Sequence, residues 1–259
     1  MKKIQKLLAF TLAETLIVMG IIGVVAALTI PNLNSSTADK EKVAKLKKVY
    51  SNLNDAMTRV DAVYGPLSDN SPGPYVYAER LADFLKVSKT CGDSVNQGCF
   101  SKNYKYLNGT VYAGFDGNGG NDTSSRLYKY LLADGTSLGV YMATAVYYFV
   151  VDIDGPTKGP ATLGKDVFEF FIVDPLATDT DGTYGNALGS ERKGVLLSDC
   201  PTAGGSTTLI DKTDLTDNFK TGKGLATWVL QTDNMDYLKA TNGTCKNGKV
   251  LSWTNTSCK

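Results

Sequence analysis

Apolar and polar positions divide the first quarter of the chain into three regimes. Residues 1–9, MKKIQKLLA, are short and basic, with Lys2, Lys3 and Lys6. From Phe10 to Ile30 the run FTLAETLIVMGIIGVVAALTI carries one charge, Glu14. At about 1.5 Å per residue the run predicts roughly 31 Å of helix, matching a hydrocarbon core of about 30 Å. The lysines precede it, so the positive-inside tendency predicts a cytoplasmic leader and a head on the far side of an inner membrane. Residues 38–63 then change period. Val43, Leu46, Tyr50, Leu53, Met57 and Val60 recur at spacings of three and four, with lysines and aspartates opposite, which predicts an amphipathic helix ending at Gly65-Pro66.

Beyond residue 65 the pattern shortens. A helix is expected near Tyr77–Val87, then strands at Thr110–Phe115, Leu127–Leu132, Ser137–Met142, Ala145–Ile153 and Asp166–Val173. Asp134-Gly135 reads as a hairpin turn and Asp154-Gly155-Pro156 as another. Residues 174–224 are rich in Gly, Thr and Asp and read as surface loop; 225–240 read as helix, followed by a short strand near Val250–Trp253. The expected class is α+β, a long N-terminal helix with a membrane half and an amphipathic half packed on an antiparallel head. The expected divisions are a leader 1–9, a membrane helix 10–31, an amphipathic stem 32–64 and a globular head 65–259.

Composition narrows the chemistry. The 259 residues carry 27 basic and 26 acidic side chains, a net charge of +1 that makes no field for nucleic acid. There is no histidine, which removes the commonest general base and zinc ligand. With no nucleophile or nucleotide-binding motif either, no enzymatic activity and no obligatory cofactor are expected. The five cysteines, Cys91, Cys99, Cys200, Cys245 and Cys258, contain no CxxC. Two disulfides among five cysteines allow about 15 arrangements. Proximity favours Cys91–Cys99 and Cys245–Cys258 and leaves Cys200, with unpaired thiols as the alternative. Asp152, Asp154 and Asp166 flank one loop and are candidate calcium ligands, as are Asp179 and Asp181 before a glycine. Neither group completes a calcium-loop pattern, and Asp and Gly are also turn formers.

Glu14 bears on the fate of the apolar run. A carboxylate at the centre of a bilayer costs about 2.5–3.5 kcal/mol, which neither a signal peptide cut after Ala27 nor a plain anchor explains. The segment AFTLAETLIVMGIIGVVAALTIPNL resembles the prepilin cleavage and methylation motif of type IV pilins and type II secretion pseudopilins. The resemblance implies a pilin-like fold and cleavage between Ala9 and Phe10 by a prepilin peptidase, followed by N-methylation of Phe10. Glu14 then becomes the fifth mature residue and Pro31 the twenty-second, positions where the family commonly has Glu and Pro. Ala9 departs from the glycine usual before the cut. Glu14 is expected to neutralise the new α-amino group of a neighbouring subunit, or that of its own chain.

Pro31 is expected to kink the helix or to end it, with Ser35 or Ser36 capping a second one. Gly20 and Gly23 allow close helix approach. The expected function is that of a structural filament subunit, in a pilus or a secretion pseudopilus. By resemblance its partners are copies of itself and other pilins through the N-terminal helix, the peptidase, an assembly platform, an ATPase and the lipid bilayer. A tethered or secreted adhesin-like binding module is the alternative, and an anchored enzyme a further one.

Overall fold

The computed structural model describes residues 12–67, 72–94, 97–112, 115, 127–143, 146–159, 161–173, 196 and 215–259, with the side chains of 26 and 28–36 outside that description. Leader residues 1–9, the cleavage pair Ala9 and Phe10, Asp179, Asp181 and Cys200 lie outside the described residues. The chain divides into two compact units, Met1–Glu41 and Lys42–Lys259.

Helix α1 covers Leu12–Tyr64. The helical assignment runs through Pro31, so no separate helix begins at Ser35 or Ser36. It stops before Gly65, whose φ of +83° suits the left-handed residue that ends a helix.

The expected pilin-like fold with a membrane-spanning half is corrected at this point. Among the described residues no helix is long and apolar enough to cross a membrane. The expected single-pass location in an inner membrane is therefore withdrawn.

In the second unit, Val43, Leu46, Val49, Leu53, Ala56, Met57 and Val60 of α1 join the main core. Tyr50 is half-buried at its edge, with its ring 5.4 Å from Phe170. After α2 (Pro74–Ala82), with Pro74 in its first turn, the strands are β1 (Val87–Gly92), β2 (Tyr104–Lys105), β3 (Val111–Tyr112), β4 (Tyr128–Leu132), β5 (Ser137–Ala143), β6 (Val146–Asp152), β7 (Ala161–Thr162) and β8 (Val167–Val173). Five of them form an antiparallel sheet in the order β1-β4-β5-β6-β8. Strands β3, β2 and β7 form a small second sheet.

Central strand β6 is buried along its whole length. Its Tyr147, Phe149 and Val151 belong to the core that includes α1, and Val146, Tyr148 and Val150 to a second core with Phe100, Tyr104 and Phe115. Alternation along a strand sends neighbours to opposite faces, so a strand apolar at both parities needs cover on both. The cover on the second face is the β2–β3 region.

Helices α3 (Thr216–Thr221) and α4 (Leu225–Thr232), a 3₁₀ turn (Asp236–Lys239), and the pair β9 (Ala240–Thr241) and β10 (Thr244–Cys245) complete the described chain. Trp228 of α4 is fully buried, with Phe219 edge-on at 5.1 Å. The expected strand at Val250–Trp253 is reduced to isolated bridges, Thr244 with Val250 and Ser252 with Asn255.

Candidate assembly helix and acidic turn

In the first unit α1 is apolar around its circumference. Leu12, Leu16, Ile17, Val18, Met19, Ile21, Ile22, Val24 and Val25 are each at least half exposed, Leu12 at 82%. Such a helix is ordinarily covered on every side. Glu14 is the one charged residue between Leu12 and Val25. An added Cβ at Gly20 or Gly23 would meet nothing within 4 Å, so both positions leave room for close approach.

The second unit holds the polar constellation. Asp152 ends β6, Asp154 follows in the Asp-Gly-Pro turn, and Asp166 precedes β8, so the hairpin brings all three expected carboxylates together. Lys42 forms salt bridges to both Asp154 and Asp166. Lys45 reaches Asp154 at 3.2 Å and Lys158 lies 3.8 Å from it. Asp166 also accepts the Thr162 amide at 3.0 Å.

Asp152 lies beneath, fully buried. Its Oδ1 accepts the amides of Asp154 (3.2 Å) and Gly155 (3.0 Å), and its Oδ2 the Tyr104 hydroxyl at 3.4 Å. Burial pushes its pKa up to about 7, with the Asp166 and Asp154 charges adding and the two amide bonds opposing. Burial also acts to raise Asp154, but hydrogen bonds and charge from Lys42 and Lys45 outweigh it and hold that carboxyl below its ordinary value. Burial pulls Lys42 down, and its two carboxylate partners more than reverse this.

The calcium expectation for Asp152, Asp154 and Asp166 is accordingly corrected. The positive charge between Asp154 and Asp166 is an ammonium from the protein itself. Among the described residues no group of three or more acidic, cysteine or histidine side chains is placed to hold a metal ion.

Sequence reasoning missed Lys42. Its partners are 112 and 124 residues away, and a helical lysine face reads by default as solvated. Two further lysines of α1 hold other turns: Lys48 pairs with Asp134 at 3.0 Å and Lys47 pairs with Asp233. Runs of lysine facing isolated Asp-Gly turns were the available signal. Both proximal disulfides are present, Cys91–Cys99 and Cys245–Cys258. The second is anchored by Asp236, whose Oδ2 accepts the Ser257 hydroxyl at 2.7 Å and the Cys258 amide at 3.1 Å.

The chain matches no family model, no curated protein and no solved structure.

Proposed function

We propose that this chain is a structural filament subunit of the type IV pilin or type II secretion pseudopilin kind, released by a prepilin peptidase between Ala9 and Phe10. The observation that carries the reading is the α1 surface from Leu12 to Val25, apolar all round, exposed, and joined to a head with its own closed core. A helix apolar on every side is ordinarily buried against other chain or lipid. Each large side chain taken out of water contributes about 1.5–3 kcal/mol, so bundling this helix with its equivalents in other copies supplies a strong association.

Glu14 gives the bundle its register. An α-amino group freed at Phe10 is a cation four positions before Glu14, and a carboxylate among apolar side chains is costly unless paired. Pairing with the amine of a neighbouring copy satisfies both charges and fixes the axial offset between copies. The subunit does this without catalysis of its own, and Pro31 interrupts the helix's hydrogen bonding where it leaves the apolar stretch. An assembly platform and ATPase supply the work, by the same resemblance.

Coexpression with a prepilin peptidase tests the reading. Intact mass is expected to show a chain starting at N-methylated Phe10. Sheared-filament blots are expected to lose the Glu14→Ala variant while its cellular level holds. A mature start at Leu28, or normal incorporation of Glu14→Ala, would remove the proposal.

A further inference from the structure

We propose that the head carries a binding site for a phosphomonoester anion, in the hollow between the β2–β3 turn, the β7–β8 turn and the 3₁₀ turn. The hollow holds about 460 Å³, within the range of about 300–1,000 Å³ for small-molecule sites. Lys105 of β2 and Lys165 of the β7–β8 turn line it, and among the described residues no acidic side chain does. Neither lysine has an ion-pair partner among the described residues, unlike Lys42, Lys45, Lys47 and Lys48 of α1. Two like charges on one small cleft select a ligand of the opposite sign.

The rest of the lining fixes the class of anion. Strands β2 and β7 run parallel with Lys105 in register with Thr162, which sets a cation beside a hydroxyl on the strand pair. The hydroxyls of Tyr106, Thr162 and Thr241 and the side-chain amide of Asn242 add neutral donors, with no hydrogen bond inside the protein among the described residues. A phosphomonoester presents three acceptor oxygens and close to two negative charges at neutral pH, matching two ammonium groups where a carboxylate would match one. Leu107, Phe219 and Leu238 supply an apolar wall for the organic part of the ester.

Carboxylates near the hollow do not cancel the two lysines. Asp166, next to Lys165, is held by Lys42 and by the Thr162 amide. Asp236, at the start of the 3₁₀ turn, pairs with Lys239 at 2.7 Å. Glu169 acts on Tyr106 by its charge, but burial raises its pKa and favours the uncharged form, with the Lys223 charge opposing. The Lys223 ammonium itself stands 5.9 Å from the centroid of the Tyr106 ring and adds to the positive potential.

The walls are fixed to one another before any ligand arrives. The Leu107 amide donates to the Thr221 carbonyl at 3.3 Å and the Asn108 amide to the Lys220 carbonyl at 2.9 Å, so the last carbonyls of α3 are occupied rather than left to repel an anion. Gly164, at φ +73°, brings the β7–β8 turn so close to Gly222 that a Cβ would stand 2.8 Å from its backbone. The Tyr237 hydroxyl donates to the Gly164 carbonyl and ties the 3₁₀ turn to the same point. Preorganisation of this kind lowers the cost of binding.

The full chain, dispersed in a non-ionic detergent at low salt and neutral pH, is titrated by isothermal calorimetry with phenyl phosphate, inorganic phosphate and phenol. Phenyl phosphate is expected to bind with Kd of about 0.1–1 mM, inorganic phosphate about tenfold more weakly, and phenol not at all. Lys105→Gln and Lys165→Gln are each expected to weaken phenyl phosphate about three- to tenfold, and the double variant by about thirtyfold. Both side chains are exposed, so unfolding is expected to be unchanged in all three. Lys246→Gln, at an exposed lysine outside the lining, is expected to bind as the wild type does. Competition by dibutanoyl phosphatidic acid assigns the site to a lipid headgroup, and binding of phenyl phosphate without such competition assigns it to a soluble phosphomonoester. The proposal is overturned by no saturable heat with phenyl phosphate up to roughly 20 mM. Wild-type affinity in the folded double variant, or an equal loss in Lys246→Gln, overturns it as well. So does a duplex oligonucleotide that binds through the two lysines while phenyl phosphate does not.

Discussion

Replacing Lys42 by Met tests whether the lysine face of α1 holds the head together. Met keeps most of the aliphatic stem and removes the ammonium that joins Asp154 to Asp166. Asp154 keeps Lys45 at 3.2 Å and Lys158 at 3.8 Å, whereas the Asp166 carboxylate keeps the Thr162 amide at 3.0 Å. Breaking a fully buried ion pair by removing one partner costs about 3–5 kcal/mol. Here the side chains retain 14% (Lys42), 17% (Asp154) and 11% (Asp166) exposure, and Lys45 compensates in part. The expected loss is therefore about 2–3 kcal/mol, a sizeable part of a domain stability of about 5–15 kcal/mol.

Urea unfolding at pH 7, followed by tryptophan fluorescence, reads this as a midpoint about 1 M lower with an unchanged slope. The pH dependence has a definite sign. Asp154 has a lowered pKa, so its contribution is present above the unfolded value of 3.8 and is lost as pH falls through the lower folded value. Lys42 has a raised pKa, so its share is present below 10.5 and is lost as pH rises through the higher folded value. The deficit of the variant is thus expected to be level from about pH 5 to pH 9 and to shrink in strong acid. A loss below about 0.5 kcal/mol at pH 7 would show the network to be solvated and the argument wrong.

Asp152→Asn keeps an oxygen for the amides of Asp154 and Gly155 and removes a charge from a fully buried site. The folded pKa of about 7 lies above the unfolded 3.8, so this group's contribution falls as pH rises from about 4 to about 7; thermal melts across pH 4–8 should show that decline flattened in the variant, and parallel profiles would refute it. The pair Cys245→Ser with Cys258→Ser opens a loop with sequence separation 13 and should cost about 3 kcal/mol in denaturant titrations, while opening Cys91–Cys99, separation 8, should cost slightly less. Gly155→Ala should cost more than about 2 kcal/mol in thermal or urea unfolding, because φ is +69° and the new Cβ would lie 2.0 Å from the Gly135 carbonyl oxygen; a neutral result would mean that the two turns separate freely.

The sheet was legible where period-two alternation and turn chemistry agreed. The Asp134-Gly135 signal sits on the β4–β5 hairpin, where the Leu132 amide donates to Thr136 at 2.8 Å and Gly135 takes φ +87°. The core stripe of α1 was legible by spacing, although Val49 and Ala56 are buried and Tyr50 only half so, because the stripe drifts round a straight helix of 3.6 residues per turn. The two-residue strands β2 and β7 carry no period and escaped notice, whereas β3 falls within the expected strand Thr110–Phe115. Helix α3 was hidden in an expected loop for a similar reason: six residues show little periodicity, and Gly222 at its left-handed end reads as loop composition. Strand β1, which shares only Val87 with the expected helix, was not foreseen, and that helix in fact stops at Ala82.

The membrane expectation rested on the apolar run from Phe10 to Ile30, and among the described residues no helix is long and apolar enough to cross a membrane. The polar constellation failed on distance. A charge pattern along a helix names the donors but not the turns that topology brings to them, so Lys42, Lys47 and Lys48 looked alike in sequence while each holds a different acidic turn. Within the second unit the lysines of α1 hold Asp154, Asp166, Asp134 and Asp233. Lys42 lies on the same helical stripe as Leu46, Val49, Leu53 and Val60, so ion pairing and apolar packing fix one face of α1 to the sheet.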